Sequence, residues 1–161
     1  MDRIFFITSV CHDRRPIFRS ARVCELFLQT TFSYRAQGKF LLHEFVLMPD
    51  HCHFLLTPAR SLSLERVLQL IKGGFSHEVY RQLLRKVEIW QRSFTNQHVR
   101  TAEEYTEFRR YIHFNPVKER FCSTPAQYPY SSANPRWASR MDANPFSAGA
   151  KAHVAGEVTH G

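Results

Sequence analysis

The sequence predicts an α+β fold in which one antiparallel sheet carries helices on one face and a disordered C-terminal tail follows. Short runs of β-branched and aromatic residues alternate with longer segments whose apolar residues recur at helical spacing. The chain has 161 residues, 43% of them hydrophobic, which is enough for one domain with a substantial core.

The first half of the chain contains three predicted strands and one helix. Ser20 is placed to cap the helix, and Gly38 follows its last apolar position as a stop signal. The residues Met48-Pro49-Asp50 form a turn between the second and third strands. The predicted strands cover, in order, residues 3–10, 40–47 and 51–57.

The second half begins with a long predicted helix that Ser63 caps. Gly73 and Gly74 interrupt this helix, since each glycine costs about 1 kcal/mol relative to alanine in a helix interior. They could also let a phosphate backbone approach closely. A weakly patterned fourth strand is predicted within residues 89–100.

The last predicted helix starts at a capping box formed by Thr101 and Glu104. It is expected to end near Asn115, because Pro116 disfavours helical geometry in the residue before it. The complete order is βαββαβα, which is that of a ferredoxin-like sandwich.

The composition changes beyond residue 133, so a domain is expected over residues 1–133 and a disordered tail over 134–161. The tail is rich in Ala, Gly, Ser and Asn and has no periodicity. The chain has 22 basic and 14 acidic residues, a net charge of +8, most of it on the predicted domain. Such a surplus favours a polyanionic partner, either nucleic acid or an acidic membrane surface.

Several classes of protein are disfavoured. No apolar run approaches membrane-spanning length, and the short apolar run 4–7 lacks the pattern of a signal sequence. The four cysteines contain no C-x-x-C pair, which argues against a zinc knuckle or a disulfide framework. A soluble cytoplasmic protein without a membrane partner is therefore expected.

His51 and His53 are the first candidate site residues. Side chains two positions apart on a strand point to the same face, so both imidazoles can reach one ion while Cys52 turns away. Imidazole suits several divalent metals. From this segment alone, two partly exposed structural histidines explain the pattern equally well.

Tyr111 and Asn115 are the second candidate pair. They are four residues apart and share one stripe of the last helix. Tyr105 lies about 120° around the helix from Tyr111, so Tyr105 is expected in the core and Tyr111 at its border with solvent. Taken alone, a core-edge tyrosine and a helix-terminal asparagine also explain the pair.

The two pairs together have the residue types needed to break and rejoin a phosphodiester. A divalent ion held by two imidazoles and a neutral amide oxygen can polarise and orient a phosphate. A tyrosine supplies an oxygen nucleophile whose covalent adduct retains the energy of the broken bond.

The segments that contain these pairs resemble one known family. Residues 48–53 (MPDHCH) and 111–118 (YIHFNPVK) are similar to the histidine motif and the nucleophile helix of the single-tyrosine HUH transposases. The resemblance is closest to the bacterial REP-associated tyrosine transposases of the insertion-sequence-200-like group. It extends to residues 71–76, 90–94 and 128–132, with departures at Gln97 and Glu119-Arg120.

The resemblance implies that Tyr111 is the nucleophile and forms a 5′-phosphotyrosine. It implies His51, His53 and Asn115 as ligands of a divalent metal, Mg²⁺ or Mn²⁺. The expected partner is single-stranded DNA, often beside a hairpin, and the monomeric or homodimeric state is left open. The candidate DNA contacts are Arg14, Arg15, Lys72, Arg92 and Lys118.

Two other functions remain possible from the sequence. The first is a non-catalytic nucleic-acid-binding module, because ferredoxin-like sheets also recognise RNA; the chain lacks the aromatic strand signature of that module. The second is a metal hydrolase that uses water, which is disfavoured because the candidate site offers a tyrosine and no carboxylate base.

Overall fold

A four-stranded antiparallel sheet forms the centre of the computed structural model, which describes residues 3–84, 86 and 88–147. The strands lie in the order β2-β3-β1-β4. The fourth strand is shorter than the sequence predicted. The strand bounds are β1 Ile4–Val10, β2 Phe40–Met48, β3 His51–Pro58 and β4 Thr95–Val99.

Three α-helices start where the sequence predicted. The Ser20 and Ser63 hydroxyls accept hydrogen bonds from backbone amides in the first turns of the first two helices. Thr101 and Glu104 form the complete capping box of the third. The helix bounds are α1 Ala21–Ala36, α2 Leu64–Leu83 and α3 Ala102–Lys118. Within the described residues, no helix is both long and apolar enough to cross a bilayer.

The helices lie on both faces of the sheet, which corrects the prediction of a single covered face. Helices α1 and α2 pack on the face that includes Phe5 and Ile7 of β1. Helix α3 packs on the opposite face, which includes Ile4 and Phe6. The central strands are apolar on both faces, and the second apolar face needs a cover of its own.

The glycine pair does not interrupt α2, which is continuous, and only Gly74 serves helix packing. A Cβ atom at Gly74 would lie 2.9 Å from the ring and hydroxyl of Tyr34 and 3.1 Å from Thr30, both on α1. A Cβ atom at Gly73 would meet nothing within 4 Å. At Gly74 the absence of a side chain therefore allows close contact between α1 and α2, and not the approach of a phosphate backbone that the sequence predicted.

Alanine substitutions at the two glycines are expected to have opposite effects. Gly73→Ala should raise the free energy of unfolding by about 0.5–1 kcal/mol, because it improves helix propensity without a clash. Gly74→Ala should lower it by about 1 kcal/mol, because crowding against Tyr34 outweighs the same gain. Urea unfolding of both variants measures the difference, and equal effects would contradict the packing role of Gly74.

Residues 134–147 belong to the folded domain, which corrects the predicted boundary at 133. Trp137 is buried in a short 3₁₀-helix (Pro135–Arg140) and its ring lies 5.6 Å from that of Phe32. Asp142 accepts two hydrogen bonds from the Arg35 guanidinium, at 2.8 and 2.9 Å, and one from the Leu42 amide at 2.8 Å. The rest of the predicted tail, 148–161, lies outside the described residues.

His43 connects this segment to the sheet and should make folding sensitive to acid. Its Nδ1 donates to the carbonyls of Asp142 and Ala143 at 3.2 and 3.0 Å, and its Nε2 accepts from the Thr57 hydroxyl at 2.8 Å. These partners suit a neutral ring. Burial lowers the pKa of His43 from its ordinary value of 6.5, although the nearby carbonyls and Asp142 oppose the shift.

Stability is expected to fall as the pH drops below about 6.5. In that range the unfolded chain binds a proton at His43 while the folded chain does not, so protons favour unfolding by up to about 1.4 kcal/mol per pH unit. Denaturant unfolding between pH 7.5 and 5 measures this slope. His43→Gln should reduce the slope, and an unchanged slope would show that His43 is not responsible.

Candidate active site

His51 and His53 lie side by side at the start of β3, as the two-residue period predicted. Their ring centroids are 4.9 Å apart. Cys52 is buried on the other face of the sheet, in the core beneath α1 and α2. His53 is only 3% exposed, and its ring stacks on that of Phe6 at 5.2 Å.

The Nδ1 atoms of both histidines have hydrogen-bond partners. His51 Nδ1 lies 2.7 Å from Asp50 Oδ1, and His53 Nδ1 lies 2.9 Å from the Thr8 hydroxyl. A carboxylate only accepts hydrogen bonds, so the proton of neutral His51 is on Nδ1 and its Nε2 has a free lone pair. His53 Nε2 is buried and has no partner. The Thr8 hydroxyl can accept from His53 Nδ1, and with the proton on that atom both Nε2 atoms are available as metal ligands, with the supporting bonds that such ligands usually have.

The electrostatics of the site keep His53 neutral. Burial, reinforced by the neighbouring His51, lowers the pKa of His53 to about 3. For Asp50, burial acts to raise the pKa, but hydrogen bonds from His51 and Arg14 outweigh it and hold the pKa below its ordinary value. An uncharged imidazole is the form that binds metal.

Helix α3 places Tyr111 against His53. Their ring centroids are 5.2 Å apart, with the rings nearly perpendicular, and Tyr111 also meets the ring of Phe6 edge-on at 5.9 Å. Tyr105 and Ile112 are buried on the sheet and fix the rotation of the helix. Tyr111 is 47% exposed, and therefore lies at the border of the core, as its helical phase predicted.

Asn115 lies one turn beyond Tyr111, inside the helix and not at an exposed end. Helix α3 continues through Pro116 to Lys118, which corrects the predicted helix end. Asn115 is 7% exposed and its side-chain Nδ2 is buried without a partner.

The residues present fit a divalent metal. The two imidazole Nε2 atoms and the Asn115 amide are neutral donors, and a side-chain amide carries an acceptor oxygen as well as its nitrogen. The buried Nε2 of His53 has no partner, and a metal would satisfy its lone pair. The unpartnered Nδ2 of Asn115 is an N–H donor, so this amide would bind an ion through its oxygen. Within the described part of the chain, no group of three or more His, Cys, Asp or Glu residues gathers as an alternative metal centre.

The candidate DNA-contact residues occupy different surroundings. Arg14 lies 3.1 Å from Asp50, and Lys118 lines a groove with Tyr111 and Asn115. Arg15 donates to the Glu88 carbonyl at 2.8 Å, and Arg92 is exposed.

Lys72 occupies a different place from the other basic candidates. Its ammonium lies over the rings of Trp90 and Phe94, at 5.2 and 5.6 Å, and the side chain is half-buried. It extends from α2, on the face of the sheet opposite Tyr111. Lys72 therefore has a packing role in this structure.

Sequence reasoning missed two residues at the site. Asp50 supports His51, and its signal was a carboxylate directly before the histidine motif. Phe114 is 49% exposed and lines the groove beside Tyr111. Its signal was a large apolar residue three positions after Tyr111, on the helix face that carries Tyr111.

Comparison with known proteins assigns the chain to a family. The family model described as "Transposase IS200 like" matches residues 4–115, which is more than half of the chain and includes His51, His53, Tyr111 and Asn115. The chain belongs to the IS200-like transposases.

This IS200-like transposase is 26% identical over 142 residues to a Haemophilus influenzae protein whose name assigns it to the REP-associated tyrosine transposases. That match covers 80% of this chain and 78% of the relative. A solved REP-associated tyrosine transposase bound to a REP hairpin has the same fold, with a TM-score of 0.72 and 20% identity over 91% of this chain and 89% of the other.

A second solved structure, named for a transposase of Deinococcus radiodurans, is more distant. Its TM-score is 0.53 at 14% identity, over 70% of this transposase and 89% of that chain. Both structural similarities show a shared fold.

Proposed function

We propose that this transposase cleaves and rejoins single-stranded, hairpin-containing DNA through a covalent bond to Tyr111. The observation that carries the proposal is the contact between the Tyr111 and His53 rings, 5.2 Å apart. This contact places a half-exposed phenol beside two supported imidazoles. The structural relative that is bound to a REP hairpin supports hairpin DNA as the substrate class.

His51, His53 and Asn115 would hold a divalent ion, Mg²⁺ or Mn²⁺. When bound, such an ion polarises the non-bridging oxygens of the phosphate and neutralises part of their charge. The neutral donors leave the charge of the ion undiminished. The Nδ1 bonds to Asp50 and Thr8 keep the two rings oriented toward it.

The proposed reaction exchanges one phosphate ester for another. The phenol oxygen of Tyr111 attacks the phosphorus, and the bond from phosphorus to the 3′ oxygen breaks. The phenol proton passes to solvent, and the departing 3′ oxygen takes up a proton to become a hydroxyl. The 5′ phosphate remains on Tyr111, and attack by a 3′ hydroxyl reverses the step without ATP.

The surroundings of Tyr111 offer suitable DNA contacts. Lys118 in the groove with Tyr111 and Arg14 beside Asp50 provide positive charge for a phosphate backbone. The exposed ring of Phe114 provides a surface on which a base can stack. Arg15, the exposed Arg92 and the half-buried Lys72 are further proposed contacts.

The proposal is tested with end-labelled hairpin DNA, Mn²⁺ and a denaturing gel. The native protein should give a DNA-linked band that EDTA prevents and that Tyr111→Phe abolishes. Tyr80→Phe is the matched control, because Tyr80 is an exposed tyrosine on α2, far from the histidines in the fold. Peptide mass analysis should place the nucleotide on Tyr111.

Two other outcomes would favour the alternative functions. Cleavage that persists in Tyr111→Phe would indicate a hydrolase that uses water. Binding of the hairpin without any cleavage by the native protein would indicate a non-catalytic module.

A further inference from the structure

Asp50 connects a proposed metal ligand to a candidate DNA contact. Its Oδ1 accepts from His51 Nδ1 at 2.7 Å, and its Oδ2 accepts from Arg14 Nη1 at 3.1 Å. One carboxylate therefore joins the His51 ring to a guanidinium on the loop after β1. The Asp50 side chain is 28% exposed; its bond to His51 is partly buried, whereas its bond to Arg14 lies at the surface.

The loop that carries Arg14 is held in an unusual conformation. Asp13 and Arg14 have φ values of 52° and 50°, in the left-handed region that non-glycine residues rarely adopt. Backbone hydrogen bonds fix the loop to the site, because the Cys11 amide donates to the Asp50 carbonyl at 2.9 Å. Such strain persists only where the surroundings enforce it, and it often occurs at functional sites.

Arg14 retains donors for a second partner. Its side chain is 63% exposed, and only Nη1 is engaged by Asp50. A guanidinium has five N–H donors and suits phosphate oxygens. The neighbouring Arg15 differs, since its guanidinium donates to the Glu88 carbonyl and not to Asp50.

We propose that Asp50 is a positioning residue that orients His51 for metal binding, and that Arg14 orients Asp50 and couples this support to a DNA phosphate. This inference rests on the proposed function. Asp50 fixes the Nδ1–H tautomer of His51 and aims its Nε2 lone pair. Arg14 holds the second carboxylate oxygen, so a phosphate on its free donors stabilises the same arrangement. Metal and DNA should then strengthen each other's binding by the same factor.

The first test measures Mn²⁺ binding to the DNA-free protein by calorimetry. Asp50→Ala should weaken Mn²⁺ binding by about 10-fold to 100-fold, as loss of a residue supporting a metal ligand typically does. Asp50→Asn should lose less, because its amide oxygen can still accept from His51 Nδ1. Arg14→Ala should weaken binding by a smaller factor than Asp50→Ala. Arg22→Ala is the matched control and should leave binding unchanged, because Arg22 is an exposed arginine on α1, which packs on the other face of the sheet.

A double-variant cycle tests the chain of contacts. When Asp50 is already alanine, Arg14→Ala should cause no further loss of Mn²⁺ affinity, because Arg14 acts through that carboxylate. The factor by which hairpin DNA strengthens Mn²⁺ binding should also fall in Arg14→Ala. Independent, additive losses would overturn the role of Arg14.

The tautomer of His51 gives a readout that needs no metal. Nitrogen NMR of the imidazoles in the metal-free protein should show Nδ1–H at His51 in the native chain and a shift toward Nε2–H in Asp50→Ala. Two results in Asp50→Ala would each overturn the role of Asp50. One is an unchanged His51 tautomer. The other is a Mn²⁺ affinity within about twofold of native, far below the expected loss. If the native protein bound no Mn²⁺, the proposed metal site itself would be wrong. This outcome is distinguishable, because the native protein and all variants would then give the same result.

Discussion

His53→Ala is expected to reduce formation of the covalent DNA adduct by about 1,000-fold. Loss of an imidazole ligand removes several kcal/mol of charge stabilisation from the transition state, and each 1.36 kcal/mol is about a factor of ten in rate. The effect should exceed that of Asp50→Ala, because His53 would bind the metal directly. Single-turnover adduct formation with labelled hairpin DNA measures the loss.

The same variant should also lose the stabilisation that metal gives to the fold. A ligand that binds only the native state raises Tm, so Mn²⁺ should raise Tm of the native protein but not of His53→Ala. His98→Ala is the matched control, since the His98 ring lies 5.3 Å from that of Phe5, a residue of the other face of the sheet. A Tm response to Mn²⁺ that persists in His53→Ala would show that His53 is not a ligand.

Local signals in the sequence were sufficient to locate most of the fold. The caps at Ser20, Ser63 and Thr101 identified three helix starts, because each depends on a side chain within three residues of the amide it binds. The apolar strands identified the sheet. The face that each helix covers could not be predicted in this way, because both faces of β1 are apolar and only the tertiary path decides which helix meets which face.

The remaining errors in the predicted fold also arise from tertiary contacts that local sequence signals do not show. Pro116 was interpreted as a helix stop, but the helix continues because burial of Ile112 and Asn115 on the sheet outweighs the local preference. Residues 134–147 have the composition of a disordered segment, yet Trp137 and Asp142 contact residues about a hundred positions earlier. Composition does not show such long-range contacts.

Local patterns predicted the candidate site as two pairs, and only the family resemblance joined them into one site. Strand period aligned His51 with His53, and helical phase separated Tyr111 from Tyr105. The approach of Tyr111 to His53 depends on how α3 lies on the sheet, which no local pattern specifies. The position of the Lys72 ammonium over the rings of Trp90 and Phe94 likewise depends on tertiary packing, which no local pattern specifies.

Trp137→Ala is expected to lower the free energy of unfolding by about 3–5 kcal/mol, the range for removal of a buried aromatic side chain. The Trp137 ring is 6% exposed and lies 5.6 Å from the Phe32 ring and 6.0 Å from the Phe45 ring. Its Nε1 also donates to the Pro129 carbonyl at 2.8 Å. The substitution therefore removes a contact between the segment after residue 133 and both α1 and β2. Equilibrium unfolding in urea measures the loss.

Trp137→Phe separates packing from hydrogen bonding at this position. It keeps an aromatic ring against Phe32 and Phe45 but loses the bond to Pro129, so we expect a cost of about 1 kcal/mol for the missing bond plus a small cavity term. Both variants lose this bond, so the difference between their unfolding free energies measures the packing of the aromatic ring. A cost below about 1 kcal/mol for Trp137→Ala would be well under the range for a buried tryptophan. It would show that the contacts of Trp137 do not contribute to folding and that the folded domain ends at residue 133, as the sequence predicted.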